Sequence, residues 1–343
     1  MQRPAPSTGS SPRPPTSSDA DLGQRIARAF ARRGDRGVLA DFRRLSGGAS
    51  KESIAVTLTG DDGARRGYVL RRAVAGHDDG FGLNPATEAG VLQAAGAAGA
   101  AVPGVAFVLD DQDGLGPGFV MHHVAGESLA PRIQRDEGFA AARDALPAQL
   151  GRALARIHRA DIAHIADLPD QPIAAQVDHY RRALDDLGAV APALELGMAW
   201  ALAHRAPHAR HTLVHGDFRL GNLMVDDRGL AAVLDWELAH RGDPMEDLGW
   251  LCIRSWRFGR PDLPVAGIGG REALFAAYEA ESGLTVDRAA VHFWEVFGNV
   301  KWGAICLVQA GRHVGGQTRS VELAAIGRRT QEAAHDLMAL LRR

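Results

Sequence analysis

The spacing of apolar residues changes along this chain, and the changes divide it. Leu22, Ile26, Ala29 and Phe30 recur at helical spacing, which predicts a helix over residues 21–33. Short strand-like runs follow at residues 42–45, 53–58 and 68–71, punctuated by Gly47-Gly48 and by the hairpin signal Asp61-Asp62-Gly63. A helix is expected over residues 85–95, because Pro85 suits a first helical turn. Two more strands, 105–110 and 119–124, flank a turn of Gly, Asp and Pro. Past Gly126 the helical period takes over, at residues 147–160, 173–187, 191–206, 244–256, 270–282, 287–310 and 318–342. A β interlude interrupts it at 212–215, 223–225 and 231–234, with Asp226-Asp227-Arg228-Gly229 as a turn.

The pattern predicts an α+β chain in three parts. Residues 1–20 hold five of the 17 prolines and no aliphatic period, so a disordered tail is expected. Residues 21–124 form a small antiparallel β lobe with one main helix, turning at about 121–126 into a helical lobe over 127–343. The 343 residues suit roughly two domains, at about 100–200 residues each. Opposed to 41 acidic residues are 39 basic ones, a balance that argues against a nucleic-acid or anionic-membrane partner. No apolar run is long enough to span a bilayer, and no secretory signal is evident at the start. Cys252 and Cys306 are the only cysteines, which excludes a disulfide framework and suits the cytoplasm. Only Lys51 and Lys301 are lysines, so chemistry that needs a lysine has two candidates.

The informative segment runs from Leu213 to Leu248. It holds His215-Gly216-Asp217, then Asn222, then Asp235 at the end of an apolar strand. A hairpin returning on itself brings Asn222 and Asp235 together. An amide oxygen and a carboxylate are hard donors that suit Mg²⁺, with phosphate and water completing its shell. Asp217 can accept a proton from a hydroxyl nucleophile or orient it.

The run His-Gly-Asp, four residues, then Asn, followed by Leu234-Asp235-Trp236-Glu237, resembles the aminoglycoside phosphotransferase and choline kinase superfamily. The phrases around Ser46–Ser50, Val69–Arg72 and Leu234–Leu251 are similar to its subgroup associated with acyl-CoA dehydrogenases. The resemblance covers roughly residues 38–310 and implies a protein-kinase-like two-lobe fold: a small antiparallel sheet with one main helix, a hinge, and a mostly helical lobe carrying a catalytic-loop hairpin. It implies a cytoplasmic small-molecule kinase that uses ATP (or GTP) and Mg²⁺. By that likeness Asp217 is the catalytic aspartate and His215 braces its loop. Asn222 and Asp235 are the metal ligands, and Glu237 a further acid that holds a metal-bound water. Gly216 stands where protein kinases carry an arginine that reads a phosphorylated loop. Asp243 and Asp247 are expected to cap or brace the following helix.

The small lobe supplies the nucleotide contacts. Gly47, Gly48, Ala49 and Ser50 form a loop whose N–H groups can cover phosphates. The superfamily's strand lysine is missing, and Arg71 stands as its substitute, with Glu88 as the implied partner; Arg72, on the other face, is the control. Met121, His122 and Val124 resemble the hinge, with adenine held by backbone atoms of His122 and Val124. Trp200, Trp294, Lys301, Trp302 and Arg312 are candidates to line the acceptor site. The acceptor is read as a small molecule bearing a hydroxyl, neutral or anionic, such as a hydroxyacyl-CoA. Alternatives are a kinase of aminoglycoside or macrolide antibiotics, a nucleotide-binding pseudokinase, and a binuclear metal hydrolase built on His215, Asp217, Asp235, His240 and Asp243.

Overall fold

The structure, a computed structural model, describes residues 17–45, 51–73, 82–204 and 210–342. Packing divides them into two compact units, one taking the chain to residue 73 together with 106–121, the other taking 82–105 and 122–342. The first contains α1 (Ser17–Ala31), β1 (Val38–Arg44), β2 (Lys51–Thr59), β3 (Arg65–Ala73), β4 (Val105–Val108) and β5 (Gly118–His122). The strands form one sheet in the order β1-β2-β3-β5-β4, with β1, β2 and β3 antiparallel. Along β2 every second residue points inward, so Ile54, Val56 and Leu58 join Tyr68 and Leu70 of β3 in the core. Leu22, Ile26, Ala29 and Phe30 of α1 close that core from one side.

Two boundaries move for physical reasons. The first helix starts at Ser17 rather than 21, so residues 17–20 of the expected tail are helical, and Asp19 pairs with Arg44 at 2.7 Å. Residues 1–16 of that tail lie outside the described residues. Strands β2 and β3 outrun their apolar centres, because pairing continues from Lys51↔Ala73 to Thr59↔Arg65. Backbone hydrogen bonds ignore side-chain polarity, which the apolar pattern does not register.

The second unit holds α2 (Pro85–Ala97), α3 (Ala130–Arg135), α4 (Ala140–His158), α5 (Ile173–Asp186), α6 (Pro192–Ala203), β6 (Thr212–Val214), β7 (Leu223–Asp226), β8 (Gly229–Val233), β9 (His240–Gly242), α7 (Met245–Cys252), α8 (Arg271–Ser282), α9 (Arg288–Val314), α10 (Val321–Gly327) and α11 (Thr330–Leu340). Helix α2 starts where Asn84 accepts from the Thr87 N–H at 2.9 Å, with Pro85 next. The long α9 is the spine, packed by α5, α6, α7, α10 and α11. At Gly249 of α7 a Cβ would lie 2.6 Å from Trp294 Cβ, so glycine lets α7 sit close on α9.

Sequence and structure part at three places here. Pro147, read as a helix start, lies inside α4. The helix expected over 318–342 is two, α10 and α11, with the break after Gly327, where a Cβ would press on Ala310. The strand β9, too short to show a period, pairs antiparallel with β6, Val214 opposite His240. The β7–β8 hairpin forms separately, as expected from its turn.

Candidate active site

The loop after β6 carries His215, Gly216 and Asp217, and its backbone is held on three sides. Asp247 of α7 accepts from the N–H groups of His215 (2.8 Å) and Gly216 (3.0 Å). Lys301 of α9 donates from Nζ to the Gly216 carbonyl at 2.6 Å. Gly216 has φ +78°, and a Cβ there would collide with the Leu238 carbonyl, so only glycine fits. An arginine in its place has no room, which is the structural reason this loop lacks one.

His215 ties the loop to the hairpin. Its Nδ1 accepts from the Asp217 N–H at 3.1 Å, so the ring proton sits on Nε2 and is donated to the Leu234 carbonyl at 2.9 Å. Leu234 immediately precedes Asp235, and its own N–H donates to the Asn222 carbonyl at 2.8 Å. One short network therefore fixes Asp217, Asn222 and Asp235 relative to each other. Asp235 has φ +62°, a left-handed backbone that aspartate tolerates better than most residues.

Asp217 is surrounded by donors. Asn222 Nδ2 reaches its carboxylate at 2.6 Å and its carbonyl at 3.0 Å; Trp250 Nε1 donates at 2.9 Å; Arg219 Nε straddles both carboxylate oxygens at 3.1 Å. Both neighbours of the Asn222 amide nitrogen are acceptors, which fixes the amide orientation and turns Oδ1 the other way.

Beneath the loop lies a buried charge cluster. Glu246 accepts from Lys301 (3.2 Å), Gln176 (2.8 Å) and His240 Nε2 (3.1 Å). Burial alone would raise the Glu246 carboxyl, but His240 and Lys301 outweigh it and hold it at about 2. His240 also faces the Leu238 carbonyl through Nδ1, so both ring nitrogens meet acceptors; burial disfavours its charge, yet Glu246 raises it above the ordinary value. Burial likewise opposes the Lys301 ammonium, and the neighbouring carboxylates, Glu246 first and then Asp217, more than offset it. Asp247 is held below the usual carboxylate range, because its bond from His158, at 3.1 Å, and further charges overcome its burial.

Residues 41–289 match the phosphotransferase enzyme family. The chain belongs to that family. Acyl-CoA dehydrogenase family member 10 of Mus musculus is 27% identical over 269 residues, 71% of this chain and 24% of the relative. Hygromycin-B 4-O-kinase of Escherichia coli is 41% identical over 83 residues, 24% of this chain and 23% of that enzyme. This phosphotransferase thus spans about a quarter of the length of each of these curated relatives. Among solved structures, a Ralstonia eutropha JMP134 protein classed with the aminoglycoside phosphotransferases superposes with a TM-score of 0.71 at 21% identity, covering 92% of this chain and 97% of that one. A thermostable APH(4)-Ia variant, solved with AMP-PNP and hygromycin B, superposes at 0.57 and 18% identity, covering 94% and 98%. The fold of this phosphotransferase is therefore protein-kinase-like, an α+β chain with an antiparallel sheet and a helical part.

The other expected site residues fall as follows in this phosphotransferase. Gly47, Gly48, Ala49 and Ser50 lie outside the described residues. Arg71 sits on β3 opposite Ser53, while Arg72 is tied to Glu52 at 2.7 Å and to the Leu115 carbonyl. Glu88 is buried in the first turn of α2. Met121 and His122 end β5, with Val124 just beyond, and the His122 N–H donates to the Gly104 carbonyl at 2.8 Å. Glu237 accepts from the Leu83 N–H through its carbonyl. Asp243 caps the start of α7 through the Met245 N–H and takes the Trp294 indole N–H at 2.8 Å.

Two acceptor-lining candidates are corrected. Lys301 is 4% exposed and bound under the loop that follows β6, and Trp294 is buried against Asp243. Asp247 does more than brace its helix, since it positions the loop itself. The hydrolase alternative also fails geometrically. His240 and Asp243 are committed to Glu246, Leu238, Met245 and Trp294, and among the described residues no three His, Cys, Asp or Glu side chains group to hold a metal. Residues missed in the sequence include Arg219, Trp250 and Glu246, all inside or beside the motif, and His158, far from it.

Proposed function

We propose that this protein transfers the γ-phosphoryl group of ATP, or GTP, to a hydroxyl of a small metabolite, with a hydroxyacyl-CoA-like compound as the leading acceptor. The observation that carries this reading is the network joining Asp217, Asn222 and Asp235. That network, which ties the Asn222 amide to the Asp217 carboxylate and the Asn222 carbonyl to the Leu234 N–H just before Asp235, supports reading Asp217 as the acceptor's carboxylate and Asn222 and Asp235 as oxygen donors for a nucleotide-bound cation.

Asp217 orients the acceptor hydroxyl and takes its proton as the new phosphorus–oxygen bond forms and the bond from the γ-phosphorus to the bridging oxygen breaks, releasing ADP or GDP. The incoming hydroxyl replaces Arg219, whose single N–H is shared between two oxygens and is the weakest of the donors. Trp250 and Asn222 keep the carboxylate in place during that exchange. Mg²⁺, when bound, neutralises charge on the phosphates; Asn222 Oδ1, Asp235 and Glu237 are the residues that would hold it and its water. Arg71 takes the part of the strand lysine and Glu88 that of the helix acid. Gly47, Gly48, Ala49 and Ser50 cover the phosphates. Met121 flanks the adenine, which meets Val124 and, since the His122 N–H is bonded to Gly104, the His122 carbonyl.

The test is Asp217→Asn, assayed with a panel of hydroxylated acids, acyl-CoAs and aminoglycosides and read by phosphorylated product. Turnover should fall by about 10²–10⁴-fold while AMP-PNP affinity stays within a factor of about two. Product formed at the parent rate would remove Asp217 from the chemistry.

A further inference from the structure

Beyond α7 the second unit has an open recess of about 500 Å³, adjoined by another of about 260 Å³. Arg254, Arg257 and Arg329 line the larger one, against the carboxylates of Glu332 and Asp336. Arg254 faces Asp336 at 3.4 Å and Arg329 faces Glu332 at 3.3 Å. Arg257 meets no carboxylate in this way. Its two terminal nitrogens donate to the Pro261 and Cys252 carbonyls. Its Nε is buried with no acceptor, as is the Ser255 hydroxyl, and both residues line the recess. The indole N–H groups of Trp256 and Trp302, just behind, are buried without acceptors too. Buried donors without acceptors are costly and uncommon, and here they gather around one arginine-rich hollow.

The recess is also close to the chemistry. Trp250, which donates to Asp217, packs edge-on against Trp256 with ring centres 5.1 Å apart. Arg219, another donor to Asp217, lies over the Trp256 ring at 5.0 Å. Ser255 and Arg257, which flank that tryptophan in the chain, both line the hollow, so Trp256 links the recess lining to both Trp250 and Arg219. Phe258 is exposed at its rim with φ +44°, a left-handed backbone that is costly for an aromatic residue.

We infer that this recess binds an anionic group of the phosphoryl acceptor, a phosphate or a carboxylate carried at a distance from the reacting hydroxyl. The inference rests on the kinase reading and gives its acceptor a charge. Arg257, which has no carboxylate in direct contact although Glu295 and Asp336 lie near enough to favour its charge, supplies one guanidinium, Arg329 a second, and Ser255 a hydroxyl that can turn toward the anion. Phe258 and Pro261 offer apolar surface to the portion of the acceptor next to its charge. A polycationic acceptor would meet an excess of arginine here.

The experiment titrates methyl phosphate, acetate and neutral acetamide into the full chain held with saturating AMP-PNP and Mg²⁺, following tryptophan fluorescence. One of the two anions should bind and acetamide should not; which anion binds identifies the group. Arg257→Gln and Arg329→Gln should each weaken that anion by about tenfold or more, with Arg257→Lys recovering part of the loss. AMP-PNP affinity measured on the same variants separates loss of the anion site from general unfolding: it should stay within a factor of about two of the parent while anion binding falls. Parent-like anion binding in both glutamine variants, or no anion binding by the parent protein, overturns the inference. Failure of AMP-PNP to bind, or full turnover by Asp217→Asn, would instead remove the kinase reading, and the anion titration remains readable in either event.

Discussion

Replacing Lys301 with methionine tests the buried cluster under the His215–Asp217 loop. The ammonium holds the Gly216 carbonyl at 2.6 Å and Glu246 at 3.2 Å, where solvent does not reach. Keeping the Glu246 carboxyl at about 2 instead of 4.5 is worth about 3 kcal/mol at neutral pH. Because its folded value is depressed, that stability is complete above the unfolded value of 4.5 and drains away as pH falls toward 2. His240 and Gln176 remain after the substitution, so only part of it is lost, on the order of 1–2 kcal/mol. The Gly216 carbonyl is left without its donor, a further cost of about 1–2 kcal/mol. Lys301→Met should therefore destabilise the second unit by about 3 kcal/mol at pH 7 and flatten the acid limb of the stability curve. Urea unfolding followed by tryptophan fluorescence isolates this unit, because all six tryptophans lie between Trp200 and Trp302. A loss below about 1 kcal/mol, with the parent's acid limb unchanged, would refute the account of the cluster.

Two further substitutions probe the loop directly. Gly216→Ala puts a Cβ against the Leu238 carbonyl at φ +78°; it should cost at least about 2 kcal/mol and lower kcat by about 100-fold or more, read by melting and steady-state turnover. Trp250→Phe removes one donor from Asp217; kcat should drop about tenfold with nucleotide KM unchanged, and an equal loss in both would mean Trp250 acts on the nucleotide instead.

What the sequence disclosed and what it withheld follow from distance along the chain. Asp217, Asn222 and Asp235 sit within one loop and one hairpin, so spacing alone brought them together. The alternation in β2 and the face of α1 were equally local and placed Ile54, Val56, Leu58 and Phe30 in one core. Lys301 reaches the loop from a helix 85 residues later, and nothing in its own neighbourhood distinguishes it from a surface cation. His158 is similar: it meets Asp247 from a separate helix, 89 residues away. Asp247 was visible but undervalued, since an acidic residue in the first turn of a helix satisfies a local rule. Its two bonds to the loop backbone depend on how α7 faces β6, which only tertiary packing decides.

The two lysines have a practical consequence. Lys51 is 6% exposed on β2 and Lys301 is 4% exposed beneath the loop, while the surface cations of the described residues are arginines. Reagents that acylate or cross-link primary amines therefore meet two lysines that are both largely buried. Coupling through side-chain amines to a sensor surface or a dye should be slow under native conditions and speed up on unfolding. Acetyl or ubiquitin-like marks face the same barrier, whereas reagents for guanidinium groups would label the protein densely.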